Sequence, residues 1–214
     1  RYAASIRAAA VVLRAERGLM GGLGAHRPAS NAIVVGGGLS ASGKPILLGG
    51  PQTGVNTPNL FWEIGVHGAG YEAEGVIGPA GPGVLIGRGR NFAMTITSGM
   101  LDNVDTFVET LDPADPDRYL FPGRSRLFER RPETFAVSGQ DDVTVEVLRT
   151  VHGPVFFIDR ARGVAFSRRA AFRGREIASA AAIAHLGFVH DLADFRRIAD
   201  HVAVSLNLHY ADTA

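Results

Sequence analysis

The sequence contains no cysteine, which excludes disulfide frameworks, thiolate nucleophiles and cysteine-ligated zinc. No apolar run reaches the roughly 18 residues that a membrane-spanning helix needs. Arginines are spaced through RYAASIRAAAVVLRAERG, so the start of the chain has the make-up of neither an anchor nor a signal peptide. Charge of one sign is not in excess: 22 Lys and Arg stand against 21 Asp and Glu, a formal net charge of +1. No global field therefore draws in nucleic acid or an anionic membrane surface, and neither is expected as a partner. Several chemical signatures are missing as well. There is no H-E-x-x-H for zinc and no G-x-S-x-G nucleophile elbow. The glycines of VVGGGLSASGK do not have phosphate-loop spacing, and Pro45 follows Lys44, which argues against nucleotide binding. No initiator methionine opens the chain, and the reading is of an internal piece of a longer polypeptide.

What is present is a globular composition. Apolar residues make up 46% of the 214, enough for a sizeable core and against disorder as the main state. The 27 glycines and 11 prolines are scattered without a period, as in a protein of short strands and tight loops. Ile6, Ala9, Ala10 and Leu13 recur at helical spacing, so residues 1 to about 20 are expected to form an amphipathic helix that Gly21 and Gly22 stop. GGLGAHRPA then reads as an exposed connector that proteases reach. From Asn31 the texture changes to short runs bounded by Gly, Pro, Asn or Asp, including AIVV, PILLGG, FWEIGVHG, NFAMTIT, DTFVETL, VTVEVLRT and PVFFI. An arginine-rich loop is expected around Arg168 and Arg173. Two helices follow, in REIASAAAIAHLGF and in DLADFRRIADHV with Leu192, Phe195, Ala199 and Val202 on one side, and then a strand in VSLNLHY. This order predicts an α+β fold, mostly antiparallel sheets with helices on one face.

The most informative local feature is Ser30, placed between the connector and a buried-looking strand in PASNAIVVGG. A serine hydroxyl is a weak nucleophile unless a base takes its proton, and a free α-amino group on the same residue serves as that base. Its pKa of about 7.7–8.0 suits such work near neutral pH. Taken singly, Ser30 reads as a turn or strand-edge serine. A Ser-His-Asp relay is the competing hydrolase design, and His67 and His152 each precede a glycine at the end of an apolar run, the setting of structural histidines.

Five blocks that keep their order and their spacing to Ser30 carry a resemblance: SNAIVVGGGLSASGKPILLGGPQTG, IGVHGAGYEAEG, GPGVLIGRGRNFAMTITSGMLDNVDTF, RTVHGPVF and the helical region through LNLHYAD. Together they resemble the start of the catalytic chain in the penicillin acylase family of N-terminal-nucleophile hydrolases. The resemblance implies the four-layer αββα fold, here incomplete. It implies that residues 1–29 are the end of the preceding chain or spacer and residues 30–214 the first part of the catalytic β chain. Ser30 is then the nucleophile, released by self-cleavage of the Ala29–Ser30 bond. Gln52 matches the position whose backbone lies near the nucleophile, where cephalosporin and homoserine-lactone acylases usually carry histidine. Ser98 matches the residue whose backbone N–H helps form the oxyanion hole. Thr53, Ile86, Ile183 and Leu206 fall on acyl-pocket positions that phenylacetyl-specific members fill with Phe, Phe, Trp and Ile, so a wider or differently shaped aliphatic pocket is expected. Asp102, the Val104 carbonyl and Asp105 match a structural calcium loop. They are hard oxygen donors, though fewer than the roughly six to eight that calcium takes. No cofactor is expected for catalysis.

The implied activity is hydrolysis of linear amides through an acyl-Ser30 intermediate, with a small-molecule amide as substrate, the remaining α- and β-chain segments as partners, and a periplasmic or secreted location. A second oxyanion donor and a further calcium carboxylate are expected beyond the last residue of this sequence. While the Ala29–Ser30 bond is intact the serine nitrogen is an amide without useful basicity, so the unprocessed chain is expected to be inactive. Exposed edges of an incomplete sheet invite pairing with another copy, hence self-association. Two other readings stay open. One is an acylase directed at acyl-homoserine lactones or cephalosporin side chains, against which Gln52 argues; the other is a non-catalytic β-rich binding domain on the same scaffold.

Overall fold

The computed structural model describes residues 2–21, 29–52, 57, 59–78 and 81–213, with the side chains of 17–21 outside that description. In chain order the elements begin with α1 (Ala3–Gly21), β1 (Ala29–Val35), β2 (Ile46–Gln52), β3 (Trp62–Gly68), β4 (Tyr71–Ile77), β5 (Ile86–Arg88) and β6 (Phe92–Ser98). There follow β7 (Val104–Asp112), β8 (Asp115–Phe121), β9 (Arg124–Leu127), β10 (Glu129–Phe135), β11 (Val143–Arg149), β12 (Val155–Asp159) and β13 (Val164–Ala170). Two helices, α2 (Glu176–Ala184) and α3 (Leu192–Ala199), and the strand β14 (Leu206–Asp212) complete the described order. Every strand pair is antiparallel. No described helix is long and apolar enough to cross a membrane. The chain divides into two compact units, Arg1–Gly21 with Asp102–Ala171, and Gly22–Leu101 with Phe172–Ala214.

In the first unit a five-stranded sheet has the order β12-β13-β7-β8-β9, and β10 and β11 form a separate hairpin. Successive strand residues point to opposite faces, so β13 is buried twice over. Val164 and Phe166 meet Ala9 of α1, while Ala165 on the other face joins Leu111, Tyr119 and Phe128. The expected helix forms, but its buried stripe differs from the expected one: Ser5 and Ala9 are buried and Ile6 is 51% exposed. Small residues on the inner stripe let the helix backbone approach the sheet. Ser5 Oγ then donates to Asp159 at 2.7 Å, and Arg168 pairs with Glu16 at 2.9 Å. The loop expected around Arg168 is instead the end of β13, paired with β7 from Val164↔Thr110 to Ala170↔Val104. Burial of Val164 to Ser167 outweighs the polar Arg-Arg end, and Arg168 lies over the Phe156 ring at 4.9 Å.

The second unit is layered. Its five-stranded sheet has the order β14-β6-β5-β4-β3. Phe92 and Met94 of β6 point to one face and share a core with Ala182, Leu186, Phe195 and Ile198 from the helical segment. Within α3 the buried residues are Phe195 and Ile198, whereas Leu192, expected on the inner side, is 41% exposed. Asp191 caps this helix by accepting from the Asp194 N–H at 2.8 Å. Ser179 ties α2 to the chain after α3, because its Oγ accepts from the Ala203 N–H at 2.9 Å. On the opposite face of β6 lies the ribbon of β1 and β2, where Gly49 rests on Thr95. Helices, sheet and ribbon are thus three successive layers, the expected α+β arrangement with helices on one side of the antiparallel sheet.

Candidate functional site

Ser30 lies in β1 opposite Pro51 of β2, one pair along from Ala29↔Gln52. Partners directly opposite in an antiparallel ladder share a face, and Ala32↔Gly49 is the pair that faces Thr95. Ser30, two residues from Ala32, is on that same inner face and is half-buried, whereas Gln52 is exposed. The ribbon therefore turns the serine hydroxyl toward the sheet and presents the Gln52 backbone beside it.

Ser98 ends β6 opposite Leu206 of β14. The next N–H, that of Gly99, donates to the Ser205 carbonyl at 3.0 Å. Alternation along the strand then turns the Ser98 N–H away from β14, to the edge where β5 pairs only with Ala93 and Met94. The Ser98 carbonyl accepts from Asn207 Nδ2 at 3.1 Å, and the same amide donates to Thr97 Oγ1 at 3.0 Å. Thr97 Oγ1 is also 3.3 Å from His209 Nε2. Asn207, Ser205 and His209 were not singled out by sequence reasoning, although Asn207 and His209 stand inside the LNLHYAD block. Burial pushes the Tyr210 phenol above its ordinary pKa, and its hydroxyl donates to Asp212 at 2.8 Å.

The expected acyl-pocket positions are dispersed in what is described. Thr53 lies outside the described residues. Ile183 packs into the helix-side core beside Leu208 and Tyr210, and Leu206 is half-buried in β14. Ile86 in β5 precedes Gly87, the partner of Met94, so alternation puts it on the opposite, ribbon-facing side. A cavity of about 340 Å³ between α2 and α3 is lined by Ala178, Ala182, His185, Arg197 and His201 among others, none of them an expected acyl-pocket residue.

In the first unit, Asp102, Val104 and Asp105 are exposed. Ala171 N–H donates to the Asn103 carbonyl at 2.9 Å, and alternation then turns the Val104 carbonyl to the edge of β7 that is unpaired before Thr110. That oxygen is not consumed by β13. Among the described residues no group of three or more His, Asp or Glu is placed to hold a metal ion.

The two histidines weighed as relay members are carboxylate-paired. His67 Nδ1 is 2.7 Å from Glu72, whose carboxyl is held below its ordinary pKa chiefly by that hydrogen bond. His152 Nδ1 donates to Glu109 Oε1 at 2.8 Å and its ring stacks on Phe107. Ser167 donates to the same oxygen at 2.6 Å, directly to the carboxylate and not through the imidazole, which is not the order a serine relay needs.

Against this geometry the comparisons are specific. The profile of the penicillin amidase family matches residues 3–214. Penicillin G acylase of Escherichia coli is 33% identical over 191 residues, 89% of this chain and 23% of that protein. The acyl-homoserine lactone acylase PvdQ of Pseudomonas putida is 30% identical over 128 residues, 59% of this chain and 17% of its own length. The structure of thermostable penicillin G acylase from Alcaligenes faecalis superposes with a TM-score of 0.79 at 33% identity, covering 87% of this chain and 33% of that one. This chain thus spans less than a quarter of the length of the curated relatives it matches. Family profile, sequence and fold agree, and the chain belongs to the penicillin amidase family.

Proposed function

We propose that a whole protein carrying this chain is a penicillin-acylase-like amidohydrolase whose nucleophile is Ser30, freed by self-cleavage of the Ala29–Ser30 bond. One observation carries the reading: the ribbon that holds Ser30 and Gln52 packs by Gly49 on β6, the strand that ends at Ser98, with the serine on its inner face. Once the bond is cut, the Ser30 amine accepts the hydroxyl proton as Oγ attacks the amide carbonyl. The C–N bond breaks, the proton passes to the leaving amine, and water hydrolyses the acyl-serine to a carboxylic acid. The Ser98 N–H, turned away from β14, is the donor to the oxyanion, and a main-chain donor tolerates serine at that position. Pro51 has no N–H to give, and a proline suits a ladder where its nitrogen faces away from the partner strand. In that register the Ser30 nitrogen also faces outward, where an amine is free to act.

Of the expected acyl-side positions, the aliphatic Ile86 is on the ribbon-facing side with Ser30 whereas Ile183 packs in the helix-side core, so Ile86 supports a preferred acyl group other than phenylacetyl. A change of methylene size in such a pocket shifts discrimination by about 1–3 kcal/mol. Asp102, Val104 and Asp105 contribute part of a structural calcium shell, with no role in the chemical step. The similarity to PvdQ supports acyl-homoserine lactones as the second substrate class, against which Gln52 argues.

The test is N-terminal sequencing of the large subunit together with labelling by a sulfonyl fluoride. The expected start is Ser30-Asn31, with one label per molecule on Ser30 and no hydrolysis of aliphatic amides by Ser30→Ala. A different start, or a Ser30→Ala protein that still hydrolyses them, overturns the reading. A processed protein that takes no label is the binding domain.

A further inference from the structure

Three consecutive residues of β14 and its approach grip the end of β6. Ser205 accepts twice, at its carbonyl from the Gly99 N–H at 3.0 Å and at its hydroxyl from the Leu101 N–H at 2.8 Å. Leu206 is the register partner of Ser98. Asn207 donates to the Ser98 carbonyl at 3.1 Å. The fit is close, since a β-carbon on Gly99 would come 3.1 Å from Ser205. Met100 follows with a φ of +49°, a left-handed conformation that a non-glycine residue keeps only where its surroundings fix it. The peptide after Ser98 is therefore held at both its oxygen and its nitrogen, while the Ser98 N–H itself is not spent on β14.

We propose that Asn207 is a positioning residue for the Ser98 amide: its hydrogen bond to the Ser98 carbonyl sets the direction in which the Ser98 N–H meets the oxyanion. This rests on the reading of Ser98 given above. The side-chain amide of Asn207 bonds to Thr97 Oγ1 and the Ser98 carbonyl, so its effect on the Ser98 N–H runs through that carbonyl. Removing an oxyanion donor costs about 100- to 1,000-fold in kcat, and a misplacement of about 1 Å costs about 100-fold. Loosening the peptide that carries the donor should fall at or below the lower figure, and it should spare KM, because the ground-state amide does not need the strengthened contact.

The variant that isolates the bond is Asn207→Asp, which keeps the shape and replaces the donor by an acceptor facing an acceptor. In the whole processed protein kcat is expected to fall about 10- to 100-fold, with KM within about threefold and full sulfonyl-fluoride labelling of Ser30. Thr97→Val, which removes the other partner of Asn207 together with the contact to His209 and leaves the bond to the Ser98 carbonyl, is expected to leave kcat within about threefold. If Asn207→Asp does not accumulate as folded protein, Asn207→Ser, too short to reach the Ser98 oxygen, is read the same way. Unchanged kcat in the Asn207 variants of an active enzyme overturns the proposal, as does an equal loss in Thr97→Val. A wild-type protein that neither labels nor hydrolyses amides overturns the underlying reading instead, so the two failures are distinguishable.

Discussion

Gly49 in β2 lies so close to Thr95 in β6 that a β-carbon at position 49 would overlap the threonine side chain. The contact sets the spacing between the ribbon and the sheet, and with it the depth at which Ser30 sits. Gly49→Ala should lift the ribbon, lowering stability by about 1–3 kcal/mol as overpacking does. Urea unfolding measures this, and a variant as stable as the parent would mean that the layers have room to move apart.

Thr95 itself is 1% exposed, and its Oγ1 has no hydrogen-bond partner among the described residues. A buried hydroxyl without a partner carries its full desolvation cost. Thr95→Val keeps the shape and removes that cost, so it is expected to be neutral or to stabilise by about 1 kcal/mol. A clear loss of stability by the same urea measurement would show that the hydroxyl is satisfied.

Much of this architecture was legible because the strands are short and their ends are marked. AIVV and DTFVETL fall within observed strands, PILLGG and NFAMTIT do so from their second residues on, and the helix-rich end gave α2 and α3. Strands whose residues are locally poor β-formers were not legible. Asp-Pro-Asp opens β8 and Pro132 stands within β10, each held by a neighbouring strand, and two arginines near the end of β13 are held by pairing with the sequence-distant β7. Periodicity says which residues share a face and not which layer that face meets, so the separation of β1 and β2 from the main sheet was invisible. The positions of Ser30, Gln52 and Ser98 came from the spacing of family blocks. The grip of Asn207 on Ser98 could not be anticipated, because it joins residues more than a hundred positions apart through strand pairing.

Asp159 links α1 to β12 and the turn after it. Its carboxyl is held below the ordinary carboxylate range, first by the hydrogen bond from Ser5 and then by Arg162. A carboxylate whose folded pKa is depressed adds stability above its unfolded value of about 3.9, and that stability is lost as pH falls through the folded value. Acidification below about pH 4 should therefore loosen the docking of α1. Ser5→Ala should move the Asp159 titration up toward its ordinary value in a carboxyl-detected NMR experiment. An unmoved titration would transfer the effect to Arg162.

Glu109 is 3% exposed, and its Oε1 accepts from Thr150, His152 and Ser167 at 2.6–2.8 Å. The cluster joins β7, β13 and the turn after β11, so it fixes the sheet of the first unit from inside. Truncating the carboxylate leaves two hydroxyls and an imidazole N–H without their acceptor in a buried site, and each such loss costs about 1–3 kcal/mol. Glu109→Ala is expected to destabilise by at least about 3 kcal/mol, whereas Glu109→Gln, which keeps one acceptor oxygen, should lose less. Thermal unfolding of the two variants ranks them. If they unfold together the acceptor is not what matters, and the side-chain volume between the strands would be the stabilising element.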